Sequence, residues 1–285
     1  MPAKAERSDH VQSLQRALSI VNRLAAAEDG ITLTEVAQQA GLSPSTAHRL
    51  LTTLEGERYV RFDAERRLWS VGVQAFVAGA AFLRARSLVP TARPQMRALM
   101  EDSAETVNLA MADEGEAVYL SQVECRQMMR AFARPGARVP LHCSGVGKAL
   151  LSAMGDGAVA RVLHRHGLPR VTVKTLTTTP ALRADLALSR SRGYALDDEE
   201  HAVGLRCIAA LVFDEHGEAA GALSVSGPLA RIGDERIPVL GAVVRGRADA
   251  VTAALGGVLP PWRAAGRPEE RPGATQPLTE ARPHT

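Results

Sequence analysis

The first sixty residues carry apolar side chains at the spacing of α-helices. The first predicted helix is marked by the apolar residues Val11, Leu14, Leu18, Val21 and Leu24. A Thr32-x-x-Glu35 pattern is typical of a capping box and begins a second helix, which ends at Gly41. Ser43 and Pro44 begin a third helix, because serine caps helices well and proline suits the first helical position. Two short helices in tandem predict a helix-turn-helix.

The third predicted helix has an apolar face and a polar face. Its apolar side chains are Ala47, Leu50, Leu51 and Leu54, which fall together on a helical wheel. The polar side chains that we assign to DNA are Ser43, Ser45, Thr46, His48, Arg49 and Thr52. A face that only meets solvent is usually rich in Lys and Glu, whereas hydroxyl, imidazole and guanidinium groups reach phosphates and base edges. The polar face is thus interpreted as a recognition surface, the alternative being a solvated face in a helical bundle.

A basic hairpin is predicted directly after the third helix. The segments YVRF and LWSV have the composition of short strands, and the turn DAERR joins them. Arg61, Arg66 and Arg67 lie on this hairpin, where they would contact phosphates or enter a minor groove. Residues 10–71 are therefore expected to form a winged helix-turn-helix DNA-binding domain.

A strongly apolar segment follows the hairpin. VGVQAFVAGAAFLRAR is apolar on nearly all sides but too short to cross a membrane. A helix of this kind needs a partner, and its own copy in a dimer is the natural one, since helix-turn-helix proteins read paired half-sites. Residues 72–90 are expected to form a linker and dimerisation helix.

Helices and strands alternate over the rest of the chain. Two hairpins are predicted, with turns at 113–116 and 214–217, and GVGKALLSAM begins a helix. This pattern predicts an α+β domain over residues 91–258 with a mostly antiparallel sheet. The tail, 259–285, is rich in Pro, Arg and Glu and is expected to be disordered.

The composition excludes some classes of protein but does not indicate a function. Hydrophobic residues make up 46% of the 285 and charged residues 23%, and we find neither a membrane span nor a signal peptide. Three scattered cysteines favour a reduced, cytoplasmic setting over a disulfide framework. The net charge is +3, but residues 1–70 hold equal numbers of basic and acidic side chains. The DNA-binding prediction therefore depends on the local pattern and not on charge.

Three patterns suggest other chemistry, but each lacks part of the motif that this chemistry requires. GVGK lacks the upstream glycine and the following Ser or Thr of a phosphate loop. His201, Cys207 and Asp197 could form a triad, but no nucleophile elbow or cysteine-protease signature accompanies them. His164 and His166 lack further ligands at metal-binding spacing. We therefore predict no catalytic residues, no metal and no cofactor.

Several sequence blocks follow one another between about Val11 and Gly257. They are VQSLQRALSIVNRL, GLSPSTAHRLLTTLE, YVRFDAERRLWSVG, LHCSGVGKALL and GYALDDEEHAVGLRCIAALVFDEHG through LSVSGP. In this order the blocks resemble the isocitrate-lyase-regulator (IclR) family of transcription factors. The resemblance implies a winged helix-turn-helix, a linker helix and an effector-binding domain of GAF-like topology. It also implies homodimers that pair into tetramers on operator DNA.

The resemblance further implies an effector site for a small carboxylate. The residues carried over are the loop Gly145 and Val146, the polar set Asp197, Cys207, Ser224 and Ser226, and an apolar wall of Val139, Met128 and Leu205. QVECRQMMR and DDEEHAVGLRCIA are similar to the glyoxylate-responsive branch, so glyoxylate or pyruvate is the expected effector. In this branch alanine often stands where this chain has Val146, and either Asp197 or Asp198 could face the pocket.

The chemistry of a 2-oxo acid fits these residues independently. Backbone N–H groups at a helix start suit a carboxylate, and serine hydroxyls suit a carbonyl oxygen. We therefore expect a DNA-binding repressor controlled by such an acid. The alternatives are an activator or an aromatic-acid-responsive regulator of the same family, a hydrolase that uses Cys207 with His201, and a protein-binding scaffold.

Overall fold

The computed structural model describes residues 11–85, 88–128, 131 and 133–264. Two compact units, Met1–Arg86 and Ser87–Thr285, make up the chain. Residue 10, residues 86 and 87 of the predicted linker, and the predicted tail from 265 onward lie outside the described residues. None of the described helices is long and apolar enough to cross a membrane.

The first unit is a winged helix-turn-helix, as predicted. Its elements are α1 (Gln12–Ala26), α2 (Leu33–Ala40), α3 (Pro44–Gly56), β1 (Val60–Asp63), β2 (Leu68–Val71) and α4 (Val73–Ala85). The capping box of Thr32 and Glu35 is present, and Gly41 ends α2 with a φ of 62°. Strands β1 and β2 pair antiparallel to form the wing. Ala47 and Leu51 of α3 are fully buried, which confirms the apolar face of that helix.

Helix α1 differs from the sequence pattern in the face that it buries. Ile20 and Leu24 enter the core of the first unit, whereas Val11, Leu14 and Leu18 are each more than half exposed. The helix carries two apolar stripes: the one that faces α2 and α3 packs into the core of the first unit, and the other is exposed among the described residues. Periodicity alone does not show which stripe packs.

The second unit is a six-stranded sheet with helices on both faces. Its elements are α5 (Leu88–Ser103), β3 (Thr106–Asp113), β4 (Glu116–Val123), β5 (Arg138–Pro140), α6 (Gly145–Ala153), α7 (Asp156–His166), α8 (Thr179–Arg192), β6 (Ala195–Asp198), β7 (Leu205–Phe213), β8 (Ala219–Pro228), α9 (Arg236–Ala254) and α10 (Pro261–Ala264). The strand order is β5-β4-β3-β8-β7-β6, and all neighbours are antiparallel.

The two predicted hairpins form the centre of this sheet. They are β3–β4 and β7–β8, and the pairing of β3 with β8 joins them. Leu109, Ile208 and Leu223 point from one face into a cluster with α5 and α9. Ala110 and Ala209 point from the other face into a cluster with α6 and α8. The side chains of the candidate effector site lie on the α6 face.

The chain after Val258 begins with an ordered segment, contrary to the expectation of disorder from 259 onward. The Trp262 ring packs edge-on against Phe213 with centroids 5.8 Å apart. Arg263 is 3% exposed and donates to the Gly193 carbonyl and to the Asp249 carboxylate. Trp262 and Arg263 have specific partners in the folded domain, which the Pro-rich composition did not indicate.

Candidate DNA-binding surface and effector site

The start of α3 concentrates hydroxyl groups at the surface. The Ser43 hydroxyl caps the helix by accepting the Thr46 N–H at 3.3 Å. The same oxygen lies 3.1 Å from Ser45 Oγ and 2.9 Å from Thr46 Oγ1. Ser43 and Ser45 are exposed and Thr46 is half-buried. A helix start with free N–H groups and exposed hydroxyls can bind a phosphate.

The outer face of α3 presents its longer polar side chains to solvent. His48, Arg49 and Thr52 are all exposed, on the side opposite the buried Ala47 and Leu51. Thr52 Oγ1 donates to the His48 carbonyl at 3.0 Å, so its hydroxyl still has acceptor capacity. The face is therefore free to enter a groove of DNA.

The wing holds its turn by hydrogen bonds that leave the arginines outside. Asp63 Oδ1 accepts the N–H groups of Glu65 and Arg66 at 3.0 and 3.1 Å. Arg67 has a φ of 56°, the left-handed conformation that closes this turn. Arg61, Arg66 and Arg67 are exposed. A rigid turn with outward guanidinium groups suits phosphate contacts.

A groove between α3 and the wing was not evident from the sequence. It is lined by Thr34 at the start of α2, His48 and Thr52 of α3, and Phe62 and Arg67 of the wing, among others. Phe62 packs against Trp69 with ring centroids 4.8 Å apart and stays 37% exposed. A partly exposed aromatic ring beside an arginine is the signal that could have identified this groove.

Helix α6 begins over the sheet with a glycine, Gly145, that lies too close to Cys207 to leave space for a side chain. The Ser144 hydroxyl accepts the Gly147 N–H at 3.1 Å and donates to the Pro140 carbonyl at 2.7 Å. A Cβ atom on Gly145 would lie 2.7 Å from Cys207 Sγ. The first N–H groups of a helix have no carbonyl partner within it. Gly145 and Val146 therefore bring backbone donors to the sheet beside Cys207.

The polar residues assigned to the effector meet on the same face of the sheet. Across β6, β7 and β8, Asp197 pairs with Cys207, and Cys207 pairs with Ser226. Side chains two residues apart on a strand share a face, so Ser224 lies on this face too. All four are buried, and the Ser224 hydroxyl has no hydrogen-bond partner in the described part of the chain. A buried hydroxyl without a partner is rare unless a ligand or water binds it.

The Cys207 thiol is neutral rather than activated. Burial and the nearby Asp197 raise the pKa of Cys207 to about 11, although the Ser226 and Ser224 hydroxyls and the Val146 N–H lower it in part. Reactive cysteines need a pKa near or below neutrality. Burial also lowers the pKa of His201, and its Nδ1 has no hydrogen-bond partner among the described residues. Cys207 and His201 are therefore not a nucleophile and its base.

The two adjacent aspartates point in opposite directions. Asp197 is 2% exposed and accepts the N–H groups of Glu200 at 2.7 Å and His201 at 3.2 Å. Asp198 instead pairs with Arg206 and Lys174. Burial, with the charge of Glu200, raises the pKa of Asp197 to about 7, although the two N–H donors oppose this shift. Asp197 is therefore the carboxyl group beside Cys207.

A buried ion pair beneath the site was missed in the sequence. Lys148 is fully buried, and its ammonium pairs with Glu200 and, at 3.0 Å, with Asp185 of α8. Glu200 belongs to the loop that Asp197 caps, so the pair ties α6 to that loop. The lysine of GVGK is thus internal, and only its sequence position resembled a phosphate loop.

The predicted apolar wall is only partly assembled. Val139 is 8% exposed and belongs to the same apolar cluster as Val146. Leu205 is half-buried at the start of β7, two residues from Cys207 and on its face. Met128 is 99% exposed and does not contact the wall. It lies in the connection between β4 and β5, outside regular structure, where no strand fixes its direction.

Family models match both units of the chain. The model of the IclR helix-turn-helix domain matches residues 13–64. The model of the C-terminal domain of the bacterial transcriptional regulator IclR matches residues 80–253. Together these matches include α3 and the polar face of the sheet.

Several similar proteins are transcriptional repressors. The acetate operon repressor of Salmonella typhimurium is 49% identical over 249 residues, which cover 87% of this chain and 91% of that protein. The transcriptional repressor IclR of Escherichia coli is 46% identical, with 90% of this chain and 94% of that protein covered. An IclR homologue from Microbacterium hydrocarbonoxydans, solved with 4-hydroxybenzoate, has a TM-score of 0.74 at 25% identity and covers 84% of this chain and 98% of that one.

Proposed function

Because the chain belongs to the IclR family of transcriptional regulators, we propose that it represses its target genes by binding operator DNA and that a small carboxylate controls this binding. The observation that carries the proposal is the buried polar face beneath α6, where Ser224 has an unfilled hydroxyl. Such a face beside the N–H groups at the start of α6 suits an acid of two or three carbons. Glyoxylate and pyruvate are the proposed effectors.

The operator-binding part of the proposal depends on α3 and the wing. Arg49 projects from the exposed face of α3, and a bidentate arginine contact to guanine contributes about 1–3 kcal/mol of discrimination. Arg66 and Arg67 extend from the wing turn, where phosphate contacts add affinity without sequence preference. The proposal therefore assigns specificity to the helix and general affinity to the wing.

A test of this division compares two variants on the DNA upstream of the regulator's own gene. Arg49→Ala should abolish specific binding and leave the fold unchanged, as measured by fluorescence anisotropy and circular dichroism. Arg66→Ala should weaken binding to all DNA alike and reduce the salt dependence. Wild-type operator affinity in Arg49→Ala would show that α3 is not the recognition helix.

Dimerisation is proposed from two exposed apolar stripes in the first unit. Val73, Phe76 and Val77 of α4 are exposed at helical spacing, and Phe76 is 73% exposed. Val11, just before α1, and Leu14 and Leu18 of α1 form a second stripe. Apolar side chains at this spacing need a covering surface, and a second copy supplies one. A dimer would bind half-sites about 34–36 Å apart, or a multiple of this, and two dimers would form a tetramer on DNA.

The effector is identified by titrating acids into the repressor–operator complex. Glyoxylate or pyruvate should change operator affinity, and calorimetry should detect binding to the free protein. A response to 4-hydroxybenzoate alone would favour the second candidate, an aromatic-acid-responsive regulator, which the Microbacterium hydrocarbonoxydans homologue makes reasonable. The fully buried Val146, close to Cys207, favours the smaller acid.

A further inference from the structure

A buried amide borders the proposed effector site and has no role in it so far. Asn108, in the middle of β3, is 1% exposed and lies directly opposite Ser224 of β8. Side chains of directly opposed residues have their Cβ atoms about 5 Å apart on one face of the sheet. Asn108 therefore extends the polar face beyond the two serines, towards β4.

The orientation of this amide is fixed by a neighbour. Gln122 of β4 donates to Asn108 Oδ1 at 3.0 Å. The carbonyl end of the amide is therefore directed to β4, and its NH₂ end faces β8. Gln122 lies opposite Asn108 in the β3–β4 register, so the pair holds this orientation without help from a ligand.

The NH₂ end has donor capacity that the described residues do not use fully. Asn108 Nδ2 lies 3.5 Å from Ser226 Oγ, longer than the usual 2.7–3.2 Å or so for such a bond. An amide has two N–H donors, and the adjacent Ser224 hydroxyl is also without a partner among the described residues. A structural role in joining strands is already filled by the Gln122 bond. The unused donors point to a ligand oxygen.

The geometry of the sheet fits a short ligand between α6 and Asn108. Cys207 of β7 lies beneath the start of α6, and Asn108 lies two strands away, diagonally across Ser224 and Ser226 of β8. An acid that bridges these two positions would have its carboxylate at the N–H groups of α6 and its second oxygen towards β3.

We propose that Asn108 is a specificity-determining residue, whose amide donates to the oxo oxygen of an acid held by its carboxylate at Gly145 and Val146. The inference rests on the proposed function, since it assumes an acid at this face. In this proposal Asn108, which Gln122 positions, determines the preference of the site for 2-oxo acids over simple carboxylic acids.

The test compares two ligands, with and without the oxo oxygen, in proteins with and without the Asn108 amide. Pyruvate has the 2-oxo oxygen and propionate lacks it, so the ratio of their calorimetric affinities isolates this contact. Wild type should prefer pyruvate by about three- to tenfold, the range that one net hydrogen bond supports. Asn108→Leu should bring the ratio close to one with propionate affinity preserved, which a general loosening of the fold would not do.

Two further variants serve as a control and as a substitute for Asn108→Leu. Ser121→Ala alters a buried β4 side chain on the opposite face, next to Arg93, and should leave the ratio as in wild type. Should Asn108→Leu fail to fold, Gln122→Met frees the amide from its anchor and should lower the ratio in part. An unchanged ratio in a folded Asn108→Leu protein would overturn the inference. Binding of neither acid to wild type would instead refute the proposed effector class.

Discussion

Asp197 shows how a buried carboxyl group can coexist with an anionic ligand. It shares its surroundings with Glu200, whose pKa burial also raises, and with the buried ammonium of Lys148. The thiols of Cys207 and Cys143, the Tyr119 hydroxyl and the His201 ring also lie nearby, and the pKa of each is shifted towards the neutral form. The site therefore carries more acids than cations and retains a proton easily.

We predict that binding of the acid consumes a proton above neutral pH. The pKa of Asp197 is about 7, so the carboxyl is protonated below this pH and ionised above it. An anion beside it favours the protonated form and raises its pKa further. Affinity should therefore be flat below about pH 6 and fall by up to tenfold per pH unit above about pH 7. Calorimetry in two buffers of different ionisation enthalpy measures the proton uptake.

The adjacent aspartate provides the control for this prediction. Asp197→Asn should remove the pH dependence, since an amide carries no titrating proton. Asp198→Asn, on the side of Arg206 and Lys174, should retain it. A wild-type affinity that stays constant between about pH 6 and pH 8.5 would contradict the proton linkage.

At the scale of elements, the sequence predicts best what depends on neighbouring residues. The Thr32–Glu35 box, the Ser43 cap and the turns of both hairpins are local, and the structure forms them where predicted. The burial of Ile20 instead of Leu14 depends on what packs against α1, which periodicity does not contain.

Distant pairings account for the parts of the candidate site that the sequence did not reveal. The ion pair of Lys148 with Glu200 spans 52 residues, and Asn108 meets Ser226 across 118. The packing of α6 beside the loop after β6 brings the first pair together, and the pairing of β3 with β8 brings the second together. The direction of Asp197 likewise became clear from its strand pairing with Cys207, whereas two adjacent acids in a sequence are indistinguishable.

Helix α4 gives a prediction for assembly. Phe76→Asp should convert dimers to monomers, because the variant would bury a charge in the proposed apolar contact between two copies of α4. Analytical ultracentrifugation measures the change, and circular dichroism checks that the fold survives. Gln74→Asp, on the same helix but outside the apolar stripe, is the matched control. A Phe76→Asp dimer of normal affinity would place the contact elsewhere.

Helix α10 gives a prediction for stability. Arg263→Ala leaves the Gly193 carbonyl and the Asp249 carboxylate without this donor in a buried place, which should cost about 1–3 kcal/mol. Thermal unfolding of the variant should show a lower Tm. Arg170→Ala, an exposed arginine of the same unit, should change the Tm little. Equal Tm values for both variants would mean that the Arg263 hydrogen bonds contribute nothing to the stability of the domain.

At the scale of the whole molecule, DNA and effector are assigned to different units of the chain. The recognition face lies on α3, and the polar face lies beneath α6. An acid changes operator affinity only if it binds one state of the regulator more tightly than the other, since equal affinities shift no equilibrium. The division therefore allows the two activities to be separated by mutation.

The double variant Ser224→Ala with Ser226→Ala should bind operator DNA as wild type does and lose its response to the acid. Each buried hydroxyl contributes about 0.5–1.5 kcal/mol as a net hydrogen bond, so acid affinity should fall by about one order of magnitude or more. Operator affinity with and without pyruvate, measured beside calorimetric titration of the free protein, separates the two effects. Ser45→Ala in α3 is the reciprocal control and should weaken operator binding while acid affinity stays intact. Full acid affinity in the double serine variant would place the effector away from the polar face of the sheet.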